Sequence, residues 1–418
     1  MKNVLLFAAF VSFLSVNAQT TDILFLGNSY TYTANLPGML YSLALAGGDT
    51  IYHESNTPGG YTLEGHSTNA TSLAKIASRD WDFVVIQEQS QKPSFPPAQV
   101  AAETYPYAEI LVDSIKSNYE CTEPVFFMTW GRKEGDQQNC QFYTPLCTFE
   151  GMNARLRESY IEMASDNNAT VAPCGAAWQQ MSLVDNTFWQ GLYSGDGSHP
   201  SAKGTYLNAC VFYATIFRQT PVGIPYYSNI GQQDAEALQQ LAQDIVLDSL
   251  DNWYIGHQDV VSNATDSMLG AFLVQFEANS ENATDHFWNF GDGNFSSEEN
   301  PTYQYPNTDF TFEVTHVASS SCGSDTTTLY IELHHLSVSE RDELEGVRMI
   351  QQGNSLRIQN DANENLIIET FDSAGRLLLT DQIQRNSSTT LDLPSESGIY
   401  VVRISNGEQF SIRKCVNP

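Results

Sequence analysis

The stretch ILFLGNSYTYTANLP, at Ile23–Pro37, decides the fold because a buried strand in it breaks directly into a turn. Four consecutive apolar residues, Ile23 to Leu26, are typical of a strand covered on both faces. Gly27, Asn28 and Ser29 follow at once, and such residues favour a turn. The turn can present Ser29 as a nucleophile, although a Gly-Asn-Ser after a strand is by itself more often only a turn.

Apolar segments of strand length alternate with segments of helix length as far as Trp253, and the helical segments include Gln99–Ser117 and Met152–Asp166. This alternation predicts an α/β fold with a doubly wound, flavodoxin-like parallel sheet. In such sheets ligands bind beyond the carboxyl ends of the strands, so functional residues are sought just after each strand. After the first strand, the strand segments are TIYHESN (50–56), WDFVVIQ (81–87), PVFFMTW (124–130) and ATVAPCGAAW (169–178).

The remainder of the chain predicts two small all-β domains after the α/β domain at residues 20–255. Residues 256–336 contain short alternating strands rich in Ser, Thr and Asn, which are typical of a small β-sandwich. The charged residues 337–346 are interpreted as a linker. Residues 347–418 again predict antiparallel strands, joined by Ala-Gly, Ser-Gly and Asn-Gly turns.

The N-terminus has the layout of a secretory signal peptide. Lys2 precedes an apolar run at Val4–Val16, and small residues end the segment at Ala18. Residues 1–18 are therefore predicted to be removed, and the mature protein is expected to be secreted or held at the cell surface. No later segment is long and apolar enough to cross a bilayer, so no membrane span is predicted.

The net charge of the chain argues against a nucleic-acid partner, and its cysteines indicate a disulfide and no metal site. The chain carries 19 basic and 49 acidic residues, a formal net charge of −30, which repels nucleic acid and anionic lipid alike. We therefore expect no nucleic-acid partner.

Of seven cysteines, Cys140 and Cys147 flank a short loop and form the most plausible disulfide, although spacing alone does not fix connectivity. No C-x-x-C motif or His-rich run supports a metal site, and none is predicted.

A loop near the end of the α/β domain, SGDGSHPSAKG at residues 194–204, places Asp196 three residues before His199. A hydroxyl nucleophile needs a base to take its proton and a carboxylate to orient that base. Asp196 and His199 have the right chemistry for Ser29. The alternative is a helix-capping loop, with Ser198 or Ser201 as the cap.

Two further loops lie where donors to an oxyanion are wanted. NTPGGYTLEGH, residues 56–66, follows the second strand, and its glycines let backbone N–H groups approach a substrate. VVIQEQSQKP, residues 84–93, offers the amides of Gln87, Gln89 and Gln91, of which Gln89 is preferred. For His66 and Glu88, in or near these loops, a structural hydrogen-bonding role is at least as well supported as a substrate contact.

The order of these motifs resembles the sequence blocks of the SGNH (GDSL-like) hydrolases: G-N-S after the first strand, Gly after the second, a polar loop after the third and D-x-x-H-P before the last helix. The resemblance implies that Ser29 is the nucleophile, with Asp196 and His199 as the base pair. It also implies an oxyanion hole formed by Ser29, Gly60 and Gln89.

The third block departs from the family pattern. The family usually has G-x-N-D there, whereas this chain has QEQS at Gln87–Ser90. Glutamine donates the same amide hydrogen bond as asparagine, but its longer side chain moves the donor. Gly59 is nearly as good a candidate as Gly60 for the backbone donor.

The resemblance predicts a secreted serine esterase that needs no metal or organic cofactor. The expected substrate is an acyl ester, with acetyl as the expected group, on a small molecule, a polysaccharide or a glycoconjugate. A lipid or aryl esterase, and a catalytically inactive cell-surface binding protein, remain as alternatives. Trp130 and Arg132, which follow the fourth strand, are further candidates for substrate contact.

The two β domains also resemble known families. W-x-F-G-D-G at residues 288–293, followed by N-P-x-x-x-Y at residues 300–305, resembles the polycystic kidney disease (PKD) type of immunoglobulin-like domain. FDSAGRLLL and the terminal strands at residues 391–416 resemble the C-terminal sorting domain of type IX secretion substrates in Bacteroidota. That resemblance implies the type IX secretion machinery as a partner.

Overall fold

The computed structural model describes residues 20–417 apart from residues 271, 307, 309, 334–340, 343, 374 and 408. The chain divides into two compact units, one through Asp259 and one from Val260. The sequence analysis places this boundary at residues 255 and 256, and its finer domain boundaries stay predictions. The predicted signal peptide, residues 1–18, lies outside the described residues, as does half of the predicted linker.

The first unit is built on a five-stranded sheet in the order 2-1-3-4-5, and every neighbouring pair is parallel. This is the flavodoxin-like order, so the predicted doubly wound α/β class is confirmed. Ile23 to Leu26 are fully buried, as the uninterrupted apolar run requires. The strands are β1 (Thr20–Leu26), β2 (Thr50–Asn56), β3 (Phe83–Ile86), β4 (Glu123–Phe127) and β5 (Thr170–Ala172).

Helices connect the strands and pack in two groups. One group forms around α10, which contacts α2 and α11, and the other around α6, which contacts α3 and α5. The helices are α1 (Ser29–Tyr32), α2 (Leu36–Gly47), α3 (Leu63–Thr68), α4 (Ala70–Ile76), α5 (Pro97–Glu103), α6 (Tyr105–Asn118), α7 (Phe149–Asp166), α8 (Cys174–Val184), α9 (Asn186–Gln190), α10 (Ala202–Phe217) and α11 (Gln232–Val246). Short 3-10 turns cover Thr33–Asn35, Lys92–Ser94, Thr144–Cys147 and Leu247–Trp253.

Proline accounts for two differences from the sequence prediction. The helix expected from Gln99 is two helices, because Pro106 lacks an N–H group and a single helix cannot run through it. The strand expected at residues 169–178 ends at Ala172, since Pro173 stops the ladder and Cys174 begins a helix.

The second unit is all antiparallel, which confirms the predicted all-β region. Its first part has a three-stranded and a four-stranded sheet. Trp288 and Phe276 lie in the core that these sheets enclose. The strands are β6 (Ala264–Gly270), β7 (Leu273–Ala278), β8 (Asp285–Asn289), β9 (Phe295–Ser296), β10 (Thr302–Gln304), β11 (Phe310–Ser320) and β12 (Gly323–Leu333).

The last part of the second unit has a five-stranded and a three-stranded sheet around a separate apolar cluster. Within the predicted linker, Arg341 and Asp342 pair with the last strand and Leu344 joins this cluster. The strands are β13 (Arg341–Asp342), β14 (Val347–Gln352), β15 (Ser355–Asn360), β16 (Leu366–Phe371), β17 (Leu377–Ile383), β18 (Ser387–Asp392), β19 (Gly398–Ser405) and β20 (Phe410–Asn417).

Cysteines of the first unit are paired in a disulfide or buried. Cys140 and Cys147 form a disulfide, as the short spacing predicts. Cys174 and Cys210 are buried in the first unit, and burial raises the pKa of both thiols. Over the part of the chain that is described, no helix is long and apolar enough to cross a membrane.

Candidate active site

Ser29, Asp196 and His199 meet at the carboxyl end of the parallel sheet. Ser29 opens α1 directly after β1, and the other two residues lie in the loop that precedes α10. His199 Nε2 lies 2.9 Å from Ser29 Oγ, and His199 Nδ1 lies 2.5 Å from Asp196 Oδ2. The three residues that the sequence analysis selects therefore form one chain of hydrogen bonds.

The turn that carries Ser29 is fixed by Asn28 and Gln87. Asn28 Oδ1 accepts from the backbone N–H of Tyr30 at 3.1 Å and so caps α1. Gln87 Oε1 accepts from the Asn28 N–H at 3.1 Å, and Gln87 Nε2 donates to Asn28 Oδ1 at 2.9 Å. Gly27 is required here because a Cβ would lie 2.8 Å from Gln87 Oε1. The end of β3 thus locks the turn after β1.

The loop before α10 is organised around the carboxylate of Asp196. Asp196 Oδ1 accepts from the backbone N–H groups of Ser198 and His199, both at 3.0 Å, and from Ser194 Oγ at 2.8 Å. Burial raises the pKa of Asp196, but the hydrogen bonds from His199, Ser198 and Ser194 outweigh it and hold the pKa well below its ordinary value. The carboxylate is therefore charged where His199 needs a negative partner.

The capping interpretation also holds, through Ser201, the second of the two predicted caps. Ser201 Oγ accepts from the backbone N–H groups of Lys203 and Gly204 at 3.2 and 3.3 Å, so Ser201 caps α10. Ser198 instead bonds to the nucleophile's helix, through the hydroxyl of Tyr30 at 2.6 Å. One short loop thus caps α10 and also presents His199.

Tyr30 and Trp130 form a wall behind His199. Their rings stack with centroids 4.8 Å apart, and the edge of Tyr30 meets the His199 ring at 5.3 Å. Trp130 Nε1 donates to the carbonyl of Ser198 at 3.1 Å. The sequence analysis missed Tyr30 and considered Ser198 only as a helix cap. It offered Trp130 as a candidate for substrate contact, whereas Trp130 is fully buried and packs against the loop.

Backbone donors for an oxyanion are available in two places. Among the described residues, the N–H groups of Ser29, Gly59 and Gly60 have no hydrogen-bond partner. Gly60 has a φ of +67°, which a residue with a side chain rarely adopts, and the glycine pair is exposed. These groups are free to donate to a ligand.

The three glutamine side chains that follow β3 differ in how many of their amide hydrogens are already used in hydrogen bonds. Gln87 Nε2 uses both hydrogens, on Asn28 Oδ1 and the carbonyl of Glu88. Gln89 Nε2 donates to Gln91 Oε1 at 3.1 Å and Gln91 Nε2 donates to Asp136 Oδ2 at 2.7 Å, so each keeps one hydrogen. Gln89 and Gln91 can therefore donate to a substrate, and Gln87 cannot.

Glu88 joins the two loops that hold these donors. Its carboxylate accepts from the backbone N–H groups of Leu63 at 3.2 Å and Gln89 at 2.5 Å. Burial raises the pKa of Glu88 to about 7, against the lowering effect of those two hydrogen bonds. Glu88 is fully buried, which supports the structural role that the sequence analysis left open.

His66 also has a structural position. Its Nε2 lies 2.9 Å from the carbonyl of Gly27 and its Nδ1 lies 2.7 Å from Ser72 Oγ. The ring is fully buried, and burial lowers its pKa. His66 therefore stabilises the turn at Gly27 from inside the domain and does not face a substrate.

A polar cleft of about 530 Å³ opens beside Asp196. One wall is the segment that follows β4, from Arg132 to Gln138, and the other runs from Gln190 to Gly197. The backbone N–H of Lys133 donates to the carbonyl of Gly197 at 2.9 Å and holds the two walls together. Arg132, a predicted substrate contact, lines this cleft.

Comparison with solved structures finds likenesses in separate parts of the chain. A DUF4886 family protein from Bacteroides uniformis is 19% identical, with a TM-score of 0.47, over 55% of this chain and 95% of that one. An acetyl xylan esterase is 14% identical, with a TM-score of 0.37, over 46% of this chain and 98% of that one. The PKD1 domain of a Vibrio cholerae metalloprotease is 26% identical, with a TM-score of 0.17, over 18% of this chain and 95% of that one.

Comparison with family models identifies the end of the chain. Residues 352–417 match the secretion system C-terminal sorting domain, which confirms the predicted sorting tail and with it export by a secretion system. No curated protein matches the sequence.

Proposed function

We propose that the α/β unit is a serine ester hydrolase of the SGNH type. The observation that carries the proposal is the continuous chain from Ser29 Oγ through His199 to Asp196, with contacts of 2.9 and 2.5 Å. A hydroxyl, an imidazole and a charged carboxylate in this order are the parts that nucleophilic acyl transfer needs. The partial exposure of His199 leaves room for a substrate beside it.

The mechanism follows from the positions of these atoms. His199 Nε2 takes the proton of Ser29 as its oxygen attacks the ester carbonyl, and Asp196 stabilises the imidazolium that forms. The oxyanion is bound by the N–H groups of Ser29 and Gly60 and by the amide of Gln89, each such donor being worth about a hundredfold in rate. His199 then protonates the departing alcohol, and water releases the acyl group from Ser29 by the reverse steps.

The proposed substrate is an acyl ester, with acetyl as the group, on a carbohydrate or glycoconjugate. The polar walls of the cleft beside Asp196 suit a sugar better than an acyl chain. A net charge of −30 disfavours anionic lipid surfaces. The sorting tail supports an export route by type IX secretion to the surface of a member of the Bacteroidota, where polymers are accessible.

The test uses the chain without residues 1–18, with p-nitrophenyl acetate and O-acetylated xylotriose as substrates. Ser29→Ala and His199→Ala are expected to abolish turnover of both, because each removes an atom that reacts. Ser114→Ala, on the exposed side of α6, is the matched control and should keep wild-type rates. A fluorophosphonate probe should label Ser29 in the wild-type chain and not in Ser29→Ala.

Activity that survives both substitutions would overturn the assigned mechanism. A wild-type chain that neither turns over an ester nor reacts with the probe would favour the binding-protein alternative.

A further inference from the structure

The direction of the leaving alcohol follows from the proton that it receives. His199 Nε2 protonates the alcohol oxygen, so that oxygen must leave on the histidine side of Ser29. The candidate oxyanion donors Gly60 and Gln89 lie in the loops after β2 and β3, which take the carbonyl oxygen. The alcohol part of the ester therefore extends past His199, towards the loop that contains Asp196.

The polar cleft lies on that side, because Asp196 and Gly197 form part of its wall. Its volume of about 530 Å³ is within the range of small-molecule sites. None of the described residues that line it has an aliphatic side chain, and Tyr193 is their single aromatic residue. The polar side chains that line it include Arg132, Lys133, Glu134, Gln137, Gln138 and Gln190.

Arg132 has hydrogen-bond donors to spare. Its Nη1 makes one long contact, 3.5 Å to Asp136 Oδ1, and its Nε has no partner among the described residues. Asp136 is already satisfied by shorter bonds, from Gln91 Nε2 at 2.7 Å and Asn139 Nδ2 at 2.6 Å. A guanidinium offers five N–H donors, and although the one on Nε is buried here, those on the two Nη atoms remain for ligand oxygens.

The charge of the cleft selects a neutral ligand. Arg132 and Lys133 face three carboxylates, Glu134, Asp136 and Asp196, so a carboxylated or sulfated group would meet net repulsion. An acyl chain would leave the polar walls without hydrogen-bond partners. Hydroxyl groups both donate and accept, and they match walls that offer both kinds of partner.

We propose that this cleft is the leaving-group subsite, in which Arg132 donates to the hydroxyl or ring oxygens of a neutral sugar whose ester is cleaved at Ser29. The inference rests on the proposed function, since it is the ester chemistry at Ser29 that defines the leaving group. It adds where the sugar binds, that the sugar is neutral, and which residue recognises it.

A chain of side chains links the subsite to the oxyanion loop. Gln91 Nε2 donates to Asp136 Oδ2, which lies beside Arg132, and the Gln91 N–H donates to Gln89 Oε1 at 2.8 Å. Arg132 is thus two side chains away from Gln89. A sugar that engages Arg132 stabilises the loop that binds the oxyanion.

The experiment compares Arg132→Met in the full chain on two esters of the same acid. O-acetylated xylotriose has a sugar leaving group, and p-nitrophenyl acetate does not. We expect kcat/KM to fall at least about tenfold more for the sugar ester than for the aryl ester, because only the sugar loses a hydrogen bond to a charged donor. Lys133→Ala and Gln190→Ala, which alter other parts of the same walls, should shift the ratio in the same direction.

Arg79→Met is the matched control. Arg79 pairs with Asp22 in β1, at the opposite end of the strand from Ser29, so both rates should stay at wild-type values. Equal losses on the two esters in Arg132→Met, or an unchanged rate on the sugar ester, would overturn the subsite while leaving the serine esterase in place.

Binding of the sugar separates failure of the subsite from failure of the proposed function. Titration of Ser29→Ala with xylotriose should show binding that Arg132→Met removes in the double variant. If the wild-type chain hydrolyses neither ester, the proposed function fails and with it the leaving-group role, and the titration then decides whether the cleft binds sugar: binding that depends on Arg132 supports the recognition by Arg132, and no binding overturns it.

Discussion

The hydroxyl groups of Tyr30 and Ser198 form a hydrogen bond of 2.6 Å that joins the residue after Ser29, the proposed nucleophile, to the residue before His199, the proposed base. The two residues are 168 positions apart in sequence. Because each is the chain neighbour of a reacting residue, this bond sets the separation of Ser29 and His199. The geometry of the site is therefore maintained outside the reacting atoms themselves.

Tyr30→Phe tests this relationship. The ring stays stacked on Trp130 while the bond to Ser198 is lost, so we expect kcat to fall about tenfold with a stability loss of about 1 kcal/mol. The measurement is turnover of p-nitrophenyl acetate beside thermal unfolding. Tyr32→Phe, on a ring that is 51% exposed, serves as the control and should change neither value. Equal activity of the two variants would contradict the positioning role.

Asp196→Asn tests the electrostatic partner of His199. The amide no longer stabilises the imidazolium and favours the wrong tautomer, so we expect kcat to fall on the order of a thousandfold or more. Binding of xylotriose should be nearly unchanged, because the side chain keeps its size. A loss of less than tenfold would show that His199 does not depend on this carboxylate.

The same variant has a stability signature in acid. The hydrogen bonds from His199, Ser198 and Ser194 hold the pKa of Asp196 below its ordinary value, so its stabilising contribution is present above about pH 4 and is lost as the pH falls further. The difference in Tm between wild type and Asp196→Asn should therefore shrink between about pH 5 and about pH 2. A difference that stays constant over this range would contradict the sign of the shift.

The contribution of Glu88 to folding stability should depend on pH in the opposite sense to that of Asp196. Burial raises its pKa from 4.5 to about 7, so the folded state holds the proton more tightly than the unfolded state. Stability contributed by that proton is present below about pH 4.5 and declines, by up to about 3 kcal/mol, as the pH rises to about 7. Urea unfolding of wild type and Glu88→Gln across this range measures the effect, and the glutamine variant should lack the decline.

Glu150→Gln is the control for this comparison, since Glu150 is exposed in the first turn of α7. It should follow the wild-type curve. A Glu88→Gln chain with the wild-type pH dependence would show that another group titrates over this range.

The disulfide between Cys140 and Cys147 closes a short loop beside the cleft. Replacing both cysteines by serine should cost about 2 kcal/mol, because a cross-link of this length removes that much freedom from the unfolded chain. Urea unfolding gives the value, with Gln141→Ser in the same loop as the control. A midpoint equal to that of the control would show that the loop is held by its hydrogen bonds alone.

Local patterns in the sequence predict the sheet and select the three residues that the structure brings together in the candidate site. Apolar runs such as that at Ile23–Leu26 mark the strands, and Ser29, Asp196 and His199 occur in short motifs at places where a strand ends or a helix begins. Both signals depend on neighbours in sequence, which is why they can be recognised without the fold.

The residues that hold the site together carry no such signal. Gln87 bonds to Asn28 across 59 positions, and only the pairing of β1 with β3 brings them together. Among three similar glutamines, Gln87 and Gln91 donate to Asn28 and Asp136, which lie in other loops, and these bonds cannot be recognised from the local sequence. The helix break at Pro106 does have a local signal, the proline itself, which the prediction of one helix from Gln99 did not take into account.

In the proposed mechanism, the span of 170 positions between Ser29 and His199 also governs when Ser29 becomes reactive. A growing chain exposes Ser29 long before the segment with its base has been synthesised, and during that time the hydroxyl is as inert as that of any other serine. Contacts this distant in sequence are completed late in folding. Recovery of esterase activity after dilution from denaturant should therefore report the last step of assembly, whereas circular dichroism reports the sheet that forms before it.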